Sequence, residues 1–122
     1  MKDADLVFLV NIINQLDLEM SATFFVNGLI ISGDVISGQA YYEKTIEDFK
    51  KAGVAGEALS SYFTDTLEKF YTAKEGVEIP DNFIHIKNAR VSNAGEHSAD
   101  YGSTTIRLKI EEINGSCFGK SS

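Results

Sequence analysis

The sequence predicts an α+β fold, mainly β: a small five-stranded antiparallel barrel with an N-terminal helix and a helical-hairpin insert between strands 2 and 3. Three observations predict it. The apolar residues follow a helical period up to about Leu18, then a period of two on both sides of Asn27-Gly28, then a helical period again from Tyr42 to Phe70, before strand alternation resumes at Phe83. Strands that are neighbours in sequence and joined by short turns favour an antiparallel meander. Five strongly bent strands commonly close into a barrel, because closure removes exposed edges.

The first element rests on Leu6, Leu9, Val10, Ile13 and Leu16, whose spacings of three and four draw one apolar stripe down a helix. Asp3 or Asp5 can cap its start by accepting backbone N–H bonds. Ala22, Phe24 and Val26 then alternate with Thr23 and Phe25, and Leu29, Ile31, Gly33 and Val35 alternate with Ile30, Ser32, Asp34 and Ile36. Asn27-Gly28 between these runs is a strong hairpin signal, since a type I′ turn needs positive φ at both central residues. Gly33 inside the second run marks a bend or a close approach of backbone.

Ser37-Gly38 ends the strand, and Ser37 can cap the next helix. Tyr42, Ile46 and Phe49 form one helical stripe, and Ala55, Leu59, Tyr62, Phe63, Thr66, Leu67 and Phe70 a second, with Gly53 and Gly56 between. Two helices joined by a short glycine-containing turn read as an antiparallel helical hairpin. Gly76 and Pro80 close this insert, which spans 38–80. Strand period returns over Phe83–Val91, followed by a polar stretch, Ser92–Ser103, expected as a flexible loop. Thr104–Glu112 alternates Ile106, Leu108 and Ile110 with Arg107, Lys109 and Glu111, Asn114-Gly115 is expected to form a second turn, and Ser116–Gly119 a short last strand. The whole reads as one domain over 1–122.

Composition narrows the function classes. The 122 residues carry 18 acidic and 11 basic side chains, a formal charge of −7. A pI near 4.7 argues against a binder of phosphate backbones, which needs clustered Lys and Arg. The acid is uneven: residues 1–36 hold −4, residues 37–80 hold −3, and residues 81–122 are neutral. Cys117 is alone, so there is neither an internal disulfide framework nor a multi-cysteine zinc site. No signal-peptide pattern opens the sequence and no run approaches the ~20 apolar residues that span a bilayer, so a cytoplasmic protein without a membrane anchor is expected.

The chemistry-bearing residues are few. His85 sits mid-strand and His97 in the polar stretch, and two histidines without a third ligand at a workable spacing do not make a zinc site. Gly115-Ser116-Cys117-Phe118-Gly119 has the outline of a nucleophile elbow, but that elbow requires a following helix, and three residues remain. Cys117 is therefore expected to pack structurally. There is no G-x-x-x-x-G-K-[ST] and no G-x-G-x-x-G to cradle phosphates. Glu43, Glu47 and Asp48, and Glu111 with Glu112, lie among polar neighbours and read as solvated charge. No catalytic, cofactor-binding or metal-binding residue is assigned. The pairs Tyr41-Tyr42, Tyr62-Phe63 and Phe70-Tyr71 follow the helical stripes, so one member of each packs inward, and an exposed partner on the insert would form a protein-contact patch.

Val26-Asn27-Gly28-Leu29-Ile30-Ile31-Ser32-Gly33-Asp34-Val35 resembles the first signature of the Sm-like fold, a bent SH3-like five-stranded barrel often assembled into rings through its last two strands. The family's RNA-reading Asp and Asn are replaced by Ser37-Gly38-Gln39-Ala40 and the insert, and its Arg-Gly becomes Arg107-Leu108, so the resemblance does not extend to RNA binding. A closer resemblance covers nearly the whole chain. Val26-Asn27-Gly28 with Ile31-Ser32-Gly33 and Ile36-Ser37, then Tyr41-Tyr42, Phe83-Ile84-His85-Ile86-Lys87-Asn88-Ala89, Arg107-x-Lys109-Ile110 and Asn114-Gly115 with Gly119-Lys120 resemble the gas vesicle accessory protein U family. That resemblance implies a non-enzymatic, cytoplasmic protein of gas-vesicle-forming bacteria, with no cofactor, associated with vesicle clustering through self-association and contact with the vesicle surface. The interaction residues expected from exposure are Tyr41, Tyr71 and Lys74 on the insert and Phe118 on the last strand edge. Asn27, Gly28, Gly33, Asn114 and Gly115 are expected as structural turn positions. The alternatives are an Sm-like oligomeric scaffold of another pathway, an RNA-binding ring, and a small enzyme.

Overall fold

A computed structural model describes residues 3–71, 82–93, 97–100 and 105–119. Helix α1 (Ala4–Leu16) starts at Asp3, whose carboxylate accepts from the N–H groups of Asp5 and Leu6. It ends where Asp17 turns left-handed at φ 50° and the Leu18 N–H reaches the Ile13 carbonyl. Leu6, Val10 and Ile13 point into the core, each contributing on the order of 2 kcal/mol by burial. Leu16 lies on the sequence stripe yet is 63% exposed, at the last residue of the helix.

Strands β1 (Met20–Val26) and β2 (Leu29–Ile36) pair antiparallel around Asn27-Gly28. Their φ values of 49° and 85° are those of the type I′ turn that the sequence predicts. Ala22, Phe24, Ile31 and Val35 face the core. After β2 come helices α2 (Gly38–Lys50) and α3 (Val54–Phe70), packed against each other as an arm. The buried Gly56 sits where a Cβ would collide with the Phe49 carbonyl, so the close approach of the two helices requires glycine there. Pro80, Gly76 and Lys74 lie outside the described residues.

Strand β3 (Phe83–Asn93) is the spine of the sheet. One edge pairs with β2 along its length, and the other is divided between β4 (His97–Asp100) and β5 (Ile106–Lys109). Strand β6 (Gly115–Phe118) pairs with the free side of β1. The hydrogen-bonded order is β4-β3-β2-β1-β6, with β5 beside β3. The core lies between α1 and the inner face of this sheet, with Ile84, Ile86, Ala89 and Ile110 joining the residues above.

The register of β2 on β3 slips between Ser32 and Asp34. The extra residue is on β3, where Asn88 adopts φ 54° and its amide donates to Asp34 at 3.3 Å. Gly33 faces this bulge. A Cβ on Gly33 would come within 2.8 Å of the Lys87 carbonyl oxygen and within 2.5 Å of the Ile86 side chain. The close approach read from its position is therefore the geometry found.

Three expectations are corrected. The polar stretch Ser92–Ser103 is not a loop throughout: β3 runs on to Asn93, and His97–Asp100 returns along it as β4. Backbone pairing satisfies these groups without the alternating apolar pattern that would mark a strand. The run Thr104–Glu112 is not one strand, since Ile110–Glu112 is a 3₁₀ turn that buries Ile110. Asn114-Gly115 is not a tight hairpin turn either. Neither residue has positive φ, and Asn114 instead fastens β6 to the first hairpin. Its side-chain oxygen accepts from the Asn27 N–H and its own N–H donates to the Phe25 carbonyl, both at 2.7 Å. The sheet thus has six strands, and neither β4 nor β5, beside β3, shares a hydrogen-bonded ladder with β6 at the other end among the described residues.

Candidate functional site

Two regions carry unusual side chains: the seam where the helical arm meets the sheet, and the outer edge at β6. The arm enters the fold through a polar clamp. Ser37, 1% exposed, accepts from the Ala40 N–H as N-cap of α2 and donates its own hydroxyl to Asp17 at 2.5 Å. Asn14 on the last turn of α1 accepts from the Gly38 N–H at 2.8 Å. The end of α1 therefore holds the start of α2, with the Asp17 carboxylate at the positive end of the α2 dipole.

Beyond the clamp the seam is aromatic. His85, on the outer face of β3, is 3% exposed. The Tyr41 ring lies 4.5 Å from its imidazole and the Tyr42 ring 6.3 Å. Tyr42 continues to Tyr71 at 5.2 Å and to Phe63 at 5.6 Å, and Phe63 to Phe49 at 5.3 Å. Gly38 completes the base of the arm, because a Cβ there would enter the Tyr71 ring. Arg107 stands directly across from His85 in the β3–β5 register. Its guanidinium lies 3.7 Å over the Phe83 ring and 5.8 Å from that of Tyr41.

The electrostatics follow from burial. Desolvation, aided by the Arg107 charge, pushes the His85 pKa down to about 3, so the imidazole is neutral. Burial and the neighbouring Tyr42 push the Tyr71 pKa up to about 12, with Arg107 opposing. His85 Nε2 and Arg107 Nε are buried without a hydrogen-bond partner among the described residues. Of the shallow grooves, one of about 250 Å³ beside α2 is bordered by Lys44 and Lys87. Both are already ion-paired, Lys44 with Asp48 at 3.1 Å and Lys87 with Glu19 at 2.9 Å.

The interaction residues expected from sequence divide. Phe118 is 47% exposed on edge strand β6. Tyr41 and Tyr71 are half-buried in the seam, because the helical stripe turns both rings toward the sheet and the base of the arm rather than outward. Lys74 lies outside the described residues. The exposed apolar residues of the arm are instead Leu59 and Tyr62, three residues apart on α3 and 46% and 66% exposed. Phe8 on α1, 67% exposed, was equally hidden within a helical pattern. Phe8 lies opposite the buried stripe of α1, whereas Leu59 and Tyr62 belong to the apolar stripe read for the second insert helix and are exposed because the buried face of α3 runs instead through Gly56 and Ser60.

Cys117 is exposed on β6 rather than packed, because it pairs with Thr23 on the outer face of β1. Strand β6 does not neighbour β3, so the structure does not bring this thiol to the buried His85. Among the described residues no three His, Cys, Asp or Glu side chains converge as a metal site, and no helix is long and apolar enough to cross a membrane. Arg107, half-buried, is stacked between Phe83 and the arm.

Neither a comparison with curated proteins nor one with solved structures gave a match. A comparison with protein families matched gas vesicle protein GvpU-like over residues 3–121, which takes in the hairpin, the arm, the spine strand and the closing edge described above. The chain belongs to the GvpU-like gas vesicle protein family.

Proposed function

We propose that this protein is a non-enzymatic, cytoplasmic gas vesicle accessory protein that self-associates and contacts gas vesicles or their assembly proteins to influence clustering or assembly. Family membership across the chain is the observation that carries the reading. The surface supports it: Phe118 on the open edge of β6, and Leu59 and Tyr62 on the outer face of α3, are apolar side chains placed where another protein can bury them. Lys74, outside the described residues, remains a proposed contact residue from sequence alone. Tyr41 and Tyr71 serve it indirectly, by seating the arm on the sheet.

The fold belongs to this proposal as well. The order β5-β3-β2-β1-β6, with β5 and β6 joined through one 3₁₀ turn, supports reading the sheet as a small Sm-like, SH3-like barrel. In this reading the barrel serves protein contacts and binds no RNA, consistent with the net charge of −7. Multi-angle light scattering tests self-association. The expected result is a mass above the 13.4 kDa protomer that falls in Phe118→Ser. A mass of one protomer at every concentration contradicts it.

A further inference from the structure

The seam contains a buried group that no contact proposed above uses. His85 is the polar residue in the buried run Ile84-His85-Ile86 of β3. Ile84 and Ile86 face the core, while His85 faces the opposite side, under the arm. Its ring lies against Tyr41, and its Nε2 has no hydrogen-bond partner among the described residues. An imidazolium there would need a second donor bond satisfied and would face the Arg107 cation from β5. The groups around it are Tyr41 and Tyr42 from α2, Arg107 from β5 and the apolar Ile36 from β2, with Tyr71 at the end of α3 one ring further out, against Tyr42. None of these described neighbours is a carboxylate that would stabilise the protonated ring.

We propose that His85 is an acid-sensitive latch: protonation of its imidazole undocks the helical arm, α2 and α3, from the outer face of the sheet while the core beneath stays folded. The partition follows from the packing. The arm rests on β3 through the aromatic seam, whereas Ile84, Ile86 and α1 close the core on the other face. Undocking hydrates His85 and uncovers the rings of Tyr41 and Tyr42, so acidification would present a second apolar surface. This device stands independently of vesicle binding.

The sign is fixed by where the proton binds. An undocked His85 titrates near 6.5, a docked one at about 3. The docked state therefore keeps its full advantage above 6.5 and loses tenfold for each pH unit below, down to about 3. Between about pH 7.5 and pH 5, still above the ordinary carboxylate range, the undocked population rises about 30-fold.

Native-state hydrogen exchange on the whole chain reads this directly, corrected for the intrinsic pH dependence of exchange. Amides of α2 and α3 should open about 30-fold more at the lower pH, while those of β1 and β2 change by less than about threefold. His85→Phe, which fills the site without titrating, should abolish the difference. Equal arm opening at the two pH values overturns the latch, as does an undiminished response in His85→Phe or opening of β1 and β2 in step with the arm. Should His85→Phe not fold, the wild-type imidazole resonance decides: titration well below 6.5 supports the latch and a midpoint at or above 6.5 overturns it.

Discussion

Gly33 has no room for a side chain, and this is the tightest residue-level constraint in the sheet. Ile86 and the Lys87 carbonyl occupy the space a methyl would need. Gly33→Ala is expected to lose about 2 kcal/mol, read as a lower urea midpoint. Ser37 works differently, through two hydrogen bonds that join α1 to α2. Ser37→Ala should lose about 1–2 kcal/mol in the same measurement. The two residues were legible in sequence for local reasons: a glycine interrupting β alternation, and a serine immediately before a helical stripe. Asn114 was misread because its partners, Asn27 and Phe25, are distant in sequence, and no local pattern records that contact. Tyr71 carries a prediction of its own. Because burial raises its pKa from 10 to about 12, the neutral phenol stabilises the docked arm fully below 10 and the contribution is lost as pH rises through about 12. Absorbance titration of wild type against Tyr71→Phe should place the missing ionisation near 12. A difference centred at 10 would show the ring to be solvated.

At the scale of elements, periodicity succeeded in the segments that bury one face at a regular spacing and failed where backbone pairing or a turn sets the structure. The β1–β2 hairpin was readable from Asn27-Gly28 because turn geometry is local. The arm was readable because Tyr42 and Ile46 face inward at helical spacing. Strand β4 was not, since its sequence His97-Ser-Ala-Asp carries no alternation and only pairing with β3 makes it a strand. The 3₁₀ turn was hidden because Ile110 continues the apolar alternation of β5 into a turn that buries it. The arm itself is testable as a unit. Gly56→Ala would drive a methyl into the Phe49 carbonyl and separate α2 from α3. The expected outcome is reduced helical circular dichroism and faster exchange in the arm, with the β1–β2 amides still protected. Undisturbed helicity would mean that the two helices have room to shift.

The aromatic seam was the least legible part of the site. Tyr41-Tyr42 reads on a helix as one ring inward and one outward, and sequence offers nothing to place His85 beneath them. Only the insertion of the arm between β2 and β3, folding back over the sheet, brings residues 41, 71, 85 and 107 together. Sequence nominated Tyr41 and Tyr71 as exposed contact residues, whereas both rings are half-buried in the seam.

For the whole molecule, charge and apolar exposure act against each other. Copies carrying −7 repel, while Phe118, Leu59 and Tyr62 favour contact. Added salt screens the first and leaves the second, so the scattering mass should rise from about 0.01 M to 0.15 M salt as the Debye length falls from about 30 to 8 Å. A mass that falls with salt would assign the association to ion pairs instead. Contact with vesicles is the central claim, and flotation tests it most directly. Purified protein is mixed with isolated gas vesicles and the buoyant layer is collected. The account predicts that the protein rises with the vesicles and that a variant carrying Phe118→Ser, Leu59→Ser and Tyr62→Ser rises less. Absence of the wild-type protein from the buoyant layer at every salt concentration would contradict it.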